Sequence, residues 1–347
     1  HVPYALSALF IFLGFGLVFT FKIVLSLSFL LSGVFMFAFA KAFFRDDKKA
    51  LLVTIFYQFA PFRFIEMLVR GSLGEVYTYA FFPAVLFGLT MLFRKISLPN
   101  IVVTASATAF LILSHNALSI TFFAICVLFI LFFAKTKKNI AWGLLGLILG
   151  LMFSSFYWIP AIFEHKYTYG DLFMKDLFRS HFPAIQNFFI PNFTNAELLQ
   201  TGGISVQFGL FHVLAIIFGF YTLFKKKLEI KHKQTIMFSL ILIALSLFIM
   251  SSFSLFFWEN ISFLRQFQFS WRFLGVVVFA TSLLSISFLS FKLFTKKWVF
   301  ITFIFFVVFS TFYYWKPPLG FLTIDEKYYW NYPLNTTYFG ETDVIWS

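Results

Sequence analysis

Residues 22–43 read KIVLSLSFLLSGVFMFAFAKAF and are followed by Arg45-Asp46-Asp47-Lys48-Lys49. An apolar run of about 20 residues is what a helix needs to cross the hydrocarbon of a bilayer. A basic cluster directly after it marks a cytoplasmic connection. Working outward, the same alternation recurs. Apolar runs fall at 22–43, 50–62, 75–93, 101–113, 117–134, 140–160, 205–224, 236–256, 272–291 and 298–315. The runs 50–62 and 101–113 are short for a span, and residues 4–19 form a further run broken by Gly14 and Gly16. The reading is an all-α, polytopic transmembrane helical bundle of about ten spans.

Composition supports that class. Hydrophobic residues are 61% and charged residues 12% of 347, with mean hydropathy +0.89. A soluble domain carries roughly 25% charged residues, so this chain has too little charge to cover a surface in water. The 60 phenylalanines suit hydrocarbon. The net charge of +13 is a topology signal here and does not indicate a nucleic-acid partner. Cys126 is the single cysteine, so no intrachain disulfide forms. No GxxxxGK[ST], no GxGxxG after a strand, no CxxC and no HExxH occurs, and ATP hydrolysis, dinucleotide chemistry and zinc proteolysis lack support.

Basic residues fall at every second connection: Arg45–Lys49, Arg94–Lys95, Lys135–Lys138, Lys225–Lys233 and Lys292–Lys297. These are expected on the cytoplasmic side of a plasma membrane. The other connections, 63–74, 114–116, 161–204, 257–271 and 316–347, are then extracellular. They hold Trp, Tyr, Asn, His and carboxylates in quantity, and the sequons at Asn192, Asn260 and Asn335. The expected organisation is one transmembrane domain, 1–315, with an outer loop 161–204, and an outer C-terminal segment 316–347. Within that loop, FMKDLFRSHF and FFIPNF mix Phe and charge as an interface-lying helix does.

Four polar groups stand at the outer edges. Residues 60–75 read APFRFIEMLVRGSLGE. If 63–70 is helical, Arg63, Glu66 and Arg70 share a face, and Glu75 opens the next span. Charges at a membrane edge cost several kcal/mol unless paired or wet. The expected chemistry is a guanidinium grip on phosphate with Glu66 and Glu75 as candidate bases or metal ligands; the alternative is a salt-bridged turn. His115, in Ser114-His115-Asn116, is expected to serve as acid, base, metal ligand or phosphate donor, or else as a polar turn residue that caps helix ends. Arg265 and Arg272, seven apart around Trp271, are expected on one helix face at an anionic headgroup, with Trp271 as interface anchor. Glu164, in YWIPAIFEHKY (157–167), is a reserve carboxylate at a span exit. A divalent cation is the one cofactor the pattern admits, without a clear ligand set.

These stretches carry a resemblance. APFRFIEMLVRGSLGE, LSHNAL (113–118), QFQFSWRFL (266–274) and YWIPAIFEHKY resemble, in order and spacing, the signature elements of a bacterial polytopic membrane family labelled pyruvoyl-tetrahydropterin-synthase-related. Phe62 stands where that pattern usually has Tyr, and Ser270 where it has Pro. Nothing in the chain looks like the soluble zinc enzyme of that name. The family is similar to the GT-C superfamily of membrane glycosyltransferases, which take sugars from polyprenyl-phosphate carriers at the outer face. The resemblance implies a GT-C-like fold and a polyprenyl-phosphate-linked sugar as partner, beside the bilayer. It implies Arg63, Arg70, Glu75, His115, Trp271 and Arg272 as pocket residues. HVPYALSALFIFLGFG (1–16) looks like the stretch after the family's first outer loop, so the main catalytic carboxylate is expected upstream of His1. The alternative functions are a lipid or lipid-linked-sugar carrier or flippase, and an envelope-assembly scaffold.

Overall fold

The apolar runs become helices in the computed structural model, which describes residues 1–170, 176–190, 204–225, 228–315, 325–332 and 343–346. In chain order they are α1 (Val2–Phe12), α2 (Leu17–Phe44), α3 (Asp47–Gln58), α4 (Pro61–Val69), α5 (Leu73–Arg94), α6 (Leu98–Ile112) and α7 (Asn116–Phe133). Then come α8 (Lys137–Phe153), α9 (Ser155–Phe163), α10 (Leu210–Lys225), α11 (Ile230–Met250), α12 (Ser270–Ser290) and α13 (Lys297–Phe309). No strand occurs among the described residues; one isolated bridge joins Thr168 to Val344.

Five helices, α2, α5, α7, α11 and α12, are long and apolar enough to cross a membrane. The bent pairs α3–α4 (51°) and α8–α9 (72°) raise the number to seven if each pair is one span. Each run expected from the sequence overlaps a helix, but α1, α6, α10 and α13 are short.

Local chemistry sets the boundaries. Asp46 accepts from Lys49 N at 3.0 Å and caps α3, and Thr136 accepts from Asn139 N at 3.1 Å and caps α8. Pro61 forces Ala60 into extended backbone (ψ 135°), which breaks α3 from α4. Gly14, at φ +90°, turns the chain between α1 and α2.

Helices α5 and α12 are the centre, with 78% and 83% of their apolar windows buried. Phenylalanine fills the space between them: Phe82 stacks on Phe122 at 4.3 Å and meets Phe279 edge-on at 4.7 Å. Gly275 brings α12 close to α5, because a Cβ there would lie 2.6 Å from the Tyr79 hydroxyl.

Pro83 sits inside α5 and has no N–H to give to the carbonyl of Tyr79 four residues back. The hydroxyl of buried Tyr57 donates to that carbonyl at 2.8 Å. Tyr57→Phe is therefore expected to leave a buried acceptor unmet and cost about 1–3 kcal/mol. The thermal midpoint of the purified protein in detergent checks this.

The basic connections gather at one end. Arg94 donates to Ala42 O, Lys231 to Phe43 O, and Lys48 to Thr295 O at 3.2 Å. Residues 63–75, 114–116 and 266–272 meet at the other end. In the 161–204 connection, the described part of FMKDLFRSHF holds a 3₁₀ turn, Leu177–Ser180, and a second turn, Ile185–Phe188, ends on the first residue of FFIPNF, where an interface-lying helix was expected. The remainder of both stretches, and the sequons at Asn192 and Asn335, lie outside the described residues. The tail returns to this face. Glu326 accepts from Leu17 N and Val18 N at 2.9 and 3.1 Å, at the start of α2.

Candidate functional site

The site is built on the first turns of α5 and α12 and on two connections. After Phe64 the helix α4 widens into a π-turn, Ile65–Val69, closed by Arg70 N donating to Ile65 O at 2.9 Å. Such turns often mark functional positions. Gly71, at φ +60°, reverses the chain into α5. At Gly74 a Cβ would stand 2.8 Å from Ser114 O and 3.1 Å from the His115 ring, so glycine admits the 114–116 turn against α5. Gln268, at φ +61°, turns the chain into α12 and aims Arg272 inward. A non-glycine residue held there is strained, as is common around functional groups.

Glu75 is the hub. It is 1% exposed and touches three partners. Arg70 Nη1 donates to Glu75 Oε2 and also to Glu66 Oε1 and Oε2, at 2.9 and 2.7 Å. Arg272 Nε and Nη2 reach Glu75 Oε1 at 3.1 and 3.0 Å. His115 Nε2 stands 3.5 Å from the same oxygen. Arg272 Nη1 also donates to Phe267 O at 2.6 Å and to Gln268 Oε1 at 3.3 Å. Trp271 is buried, with Arg70 over its ring at 4.5 Å and Phe269 stacked on it at 4.9 Å. The interface anchor expected at Trp271 is instead a wall of the cluster.

Arg63 diverges from the face it was expected to share with Glu66 and Arg70. It is 3% exposed, donates to Ser32 Oγ of α2 at 2.7 Å, and lies over the rings of Tyr79 (4.2 Å) and Tyr57 (5.4 Å). Its Nε and Nη1 have no hydrogen-bond partner, nor does the Tyr79 hydroxyl. Ser32 in turn donates to Gln58 Oε1 at 2.5 Å, and Gln58 Nε2 donates to Phe29 O at 2.6 Å. Ser32, Gln58, Tyr57 and Tyr79 went unremarked in the sequence. Two signals were available: Gln58 interrupts an apolar run, and Tyr79 lies one turn after Glu75.

Arg265 does not share a helix face with Arg272. The helix Ser262–Arg265 ends before the 266–269 turn, so the seven-residue spacing carries no periodicity. Its guanidinium donates to Trp258 O at 3.2 Å and to Glu259 O. Glu164 is exposed after α9 and is not among the cluster's contacts. Among the described residues no three His, Cys, Asp or Glu side chains gather as a metal site would require.

His115 caps α7: its Nδ1 accepts from Leu118 N at 3.3 Å, which leaves Nε2 to carry the proton toward Glu75. Burial pushes its pKa down to about 4, against the pull of Glu75 and with Arg272 and Arg70 adding to the fall. The imidazole is thus neutral at pH 7. On acidification from about 6.5 to 4 the unfolded chain takes up this proton before the folded one, so stability is lost across that window. His115→Asn, which keeps a capping side chain, is expected to flatten the pH dependence between pH 6.5 and 4. Thermal midpoints of both proteins across that range check it.

Two guanidinia, those of Arg70 and Arg272, thus meet two carboxylates and a neutral imidazole, and with Arg63 held apart from them on Ser32 the region keeps one formal positive charge at the end of a helical membrane bundle. That is the class the fold and the site define: a polytopic membrane protein with a charged, anion-compatible centre at one face. The family described as 6-pyruvoyl-tetrahydropterin synthase related domain, membrane protein, matches residues 2–332, and the chain belongs to it. No curated protein and no solved structure matches the chain.

Proposed function

We propose that this protein is a glycosyltransferase-like enzyme that takes a sugar from a polyprenyl-phosphate carrier at the outer face of the plasma membrane. The observation that carries the reading is Arg63. It is a buried cation with two unpartnered nitrogens, Nε and Nη1, beneath a cluster whose other guanidinia are already paired. A phosphate oxygen is a fitting acceptor for such a fork. Access would run past Arg70 and His115, whose side chains are 14% and 21% exposed. In the reaction, the bond from the sugar carbon to the phosphate oxygen breaks and a bond from that carbon to the acceptor oxygen forms. The leaving phosphate gains charge that a guanidinium stabilises, and the acceptor proton passes to a carboxylate. Glu66 and Glu75 stay candidate bases.

In this reading the three short helices α6, α10 and α13 join the longer spans to make about ten crossings in a GT-C-like bundle. The basic end faces the cytoplasm, and residues 1–315 act as one transmembrane domain with an outer loop and tail. A carrier or flippase would instead present charge at mid-depth to both faces. The scaffold reading has one observation in its favour: Arg70 and Arg272 are engaged by Glu66 and Glu75 as in a purely structural lock.

The test is sugar transfer from a polyprenyl-phosphate donor by the full protein in proteoliposomes. Arg70→Ala is a poor variant for it, because it leaves two buried carboxylates without their shared partner. Arg63→Met removes the open donors without breaking an ion pair. Transfer by the wild type, lost in Arg63→Met at unchanged thermal stability, supports the reading. Transfer that is equal in both proteins would sink the Arg63 assignment.

A further inference from the structure

A second feature at the motif end lies in the connection between α11 and α12. The lipid-side stripe of α11 exposes Met237, Ile241, Leu245 and Phe248 at spacings of four, four and three. After Met250 the chain does not leave this surface. It folds into a 3₁₀ turn, Ser252–Ser254, and a short helix, Leu255–Asn260, that pack back on the end of α11. Trp258 anchors the fold. It is fully buried, its Nε1 donates to Ile249 O at 3.0 Å, and its ring stacks on Phe178 at 5.5 Å. Ser254 Oγ donates to Ile249 O and Ser251 O at 2.9 and 2.8 Å.

The opposite face of this turn is apolar and open. Phe253 is 76% and Phe256 68% exposed, and Phe257 contacts Phe248 at 5.6 Å, so the surface runs unbroken from the α11 stripe. Among the described residues, charge appears at its edge, where exposed Arg179 bridges Glu259 and Asp176.

We propose that residues 252–260 form a finger inserted into one leaflet, with Phe253, Phe256 and Phe257 among acyl chains and the Arg179 ion group in the headgroup layer. The continuity with α11 commits the surface to lipid, and the ion group sets the depth. Phe residues at an apolar–polar boundary with paired charges just beyond it are what an interfacial segment requires. Arg265, by its bonds to Trp258 O and Glu259 O, ties the finger to the turn that carries Arg272. Insertion does not rest on the glycosyltransferase reading and stands if the transfer assay is negative.

The test is nitroxide accessibility in proteoliposomes of phosphatidylglycerol and phosphatidylethanolamine. The native Cys126 is fully buried, so labelling there is expected to be negligible. A nitroxide at Phe256→Cys is expected to collide several-fold more with oxygen, which concentrates in lipid, than with a water-soluble nickel chelate. A nitroxide at Asp176→Cys is expected to show the reverse. Phe253→Cys reads the same face should Phe256→Cys fail to fold. Nickel collisions at Phe256 equal to those at Asp176 would overturn the proposal. So would low collision with both reagents together with spin–spin broadening, which would mean that a second copy covers the finger.

Discussion

Glu75→Leu is expected to destabilise the protein by about 3–5 kcal/mol, the usual result of removing one partner from a buried ion pair. The side chain is 1% exposed and is the one carboxylate that meets Arg70, Arg272 and His115 together. Without it, two guanidinia from separate segments face each other across a dry gap. Glu66→Leu is expected to cost clearly less, because Glu66 meets only Arg70 among the guanidinia within bonding distance and Arg70 keeps Glu75. Thermal unfolding of both variants in the same detergent gives the order. A larger loss in Glu66→Leu would displace Glu75 from the centre of the cluster.

Arg63→Met is expected to behave in the opposite way. Arg63 has no carboxylate within ion-pair distance, so its removal relieves a desolvated charge, and thermal stability is expected to hold or rise. Binding of a lipid phosphate is expected to fall sharply. A hydrogen bond to a charged group contributes about 1.5–3 kcal/mol, and losing two such bonds weakens Kd by roughly a hundred-fold or more. Lipid titration of purified wild type and variant measures it. The pair of variants separates the proposed roles: Glu75 as the residue that holds the cluster together, and Arg63 as the donor to a lipid phosphate.

Much of this was legible in the sequence because a bilayer imposes strong rules. A run such as 22–43 has no soluble use, and Arg45–Lys49 marks a helix end. The charged and polar residues of the site were legible one by one, since Arg63, Glu66, Arg70, His115 and Arg272 are costly at a membrane edge. Their pairing was not. Whether Arg63 follows Arg70 or turns toward Ser32 depends on the π-turn at Ile65–Val69, which no residue pattern announces. The Arg265–Arg272 spacing misled because a turn at Gln268 interrupts the helix that the spacing presumed. Tyr57 escaped because its partner is a carbonyl freed by Pro83, a contact between helices that periodicity does not reach. The length of α6, α10 and α13 shows the other limit: apolar composition locates a helix but does not say how far it spans.

The most direct measurement is native mass spectrometry of the full protein purified in mild detergent and supplied with a polyprenyl-phosphate sugar. The account predicts a bound adduct of the lipid's mass on the wild type, retained in His115→Asn and lost in Arg63→Met. Equal adducts on wild type and Arg63→Met, or none on either at saturating lipid, would contradict it and leave the cluster as a structural lock.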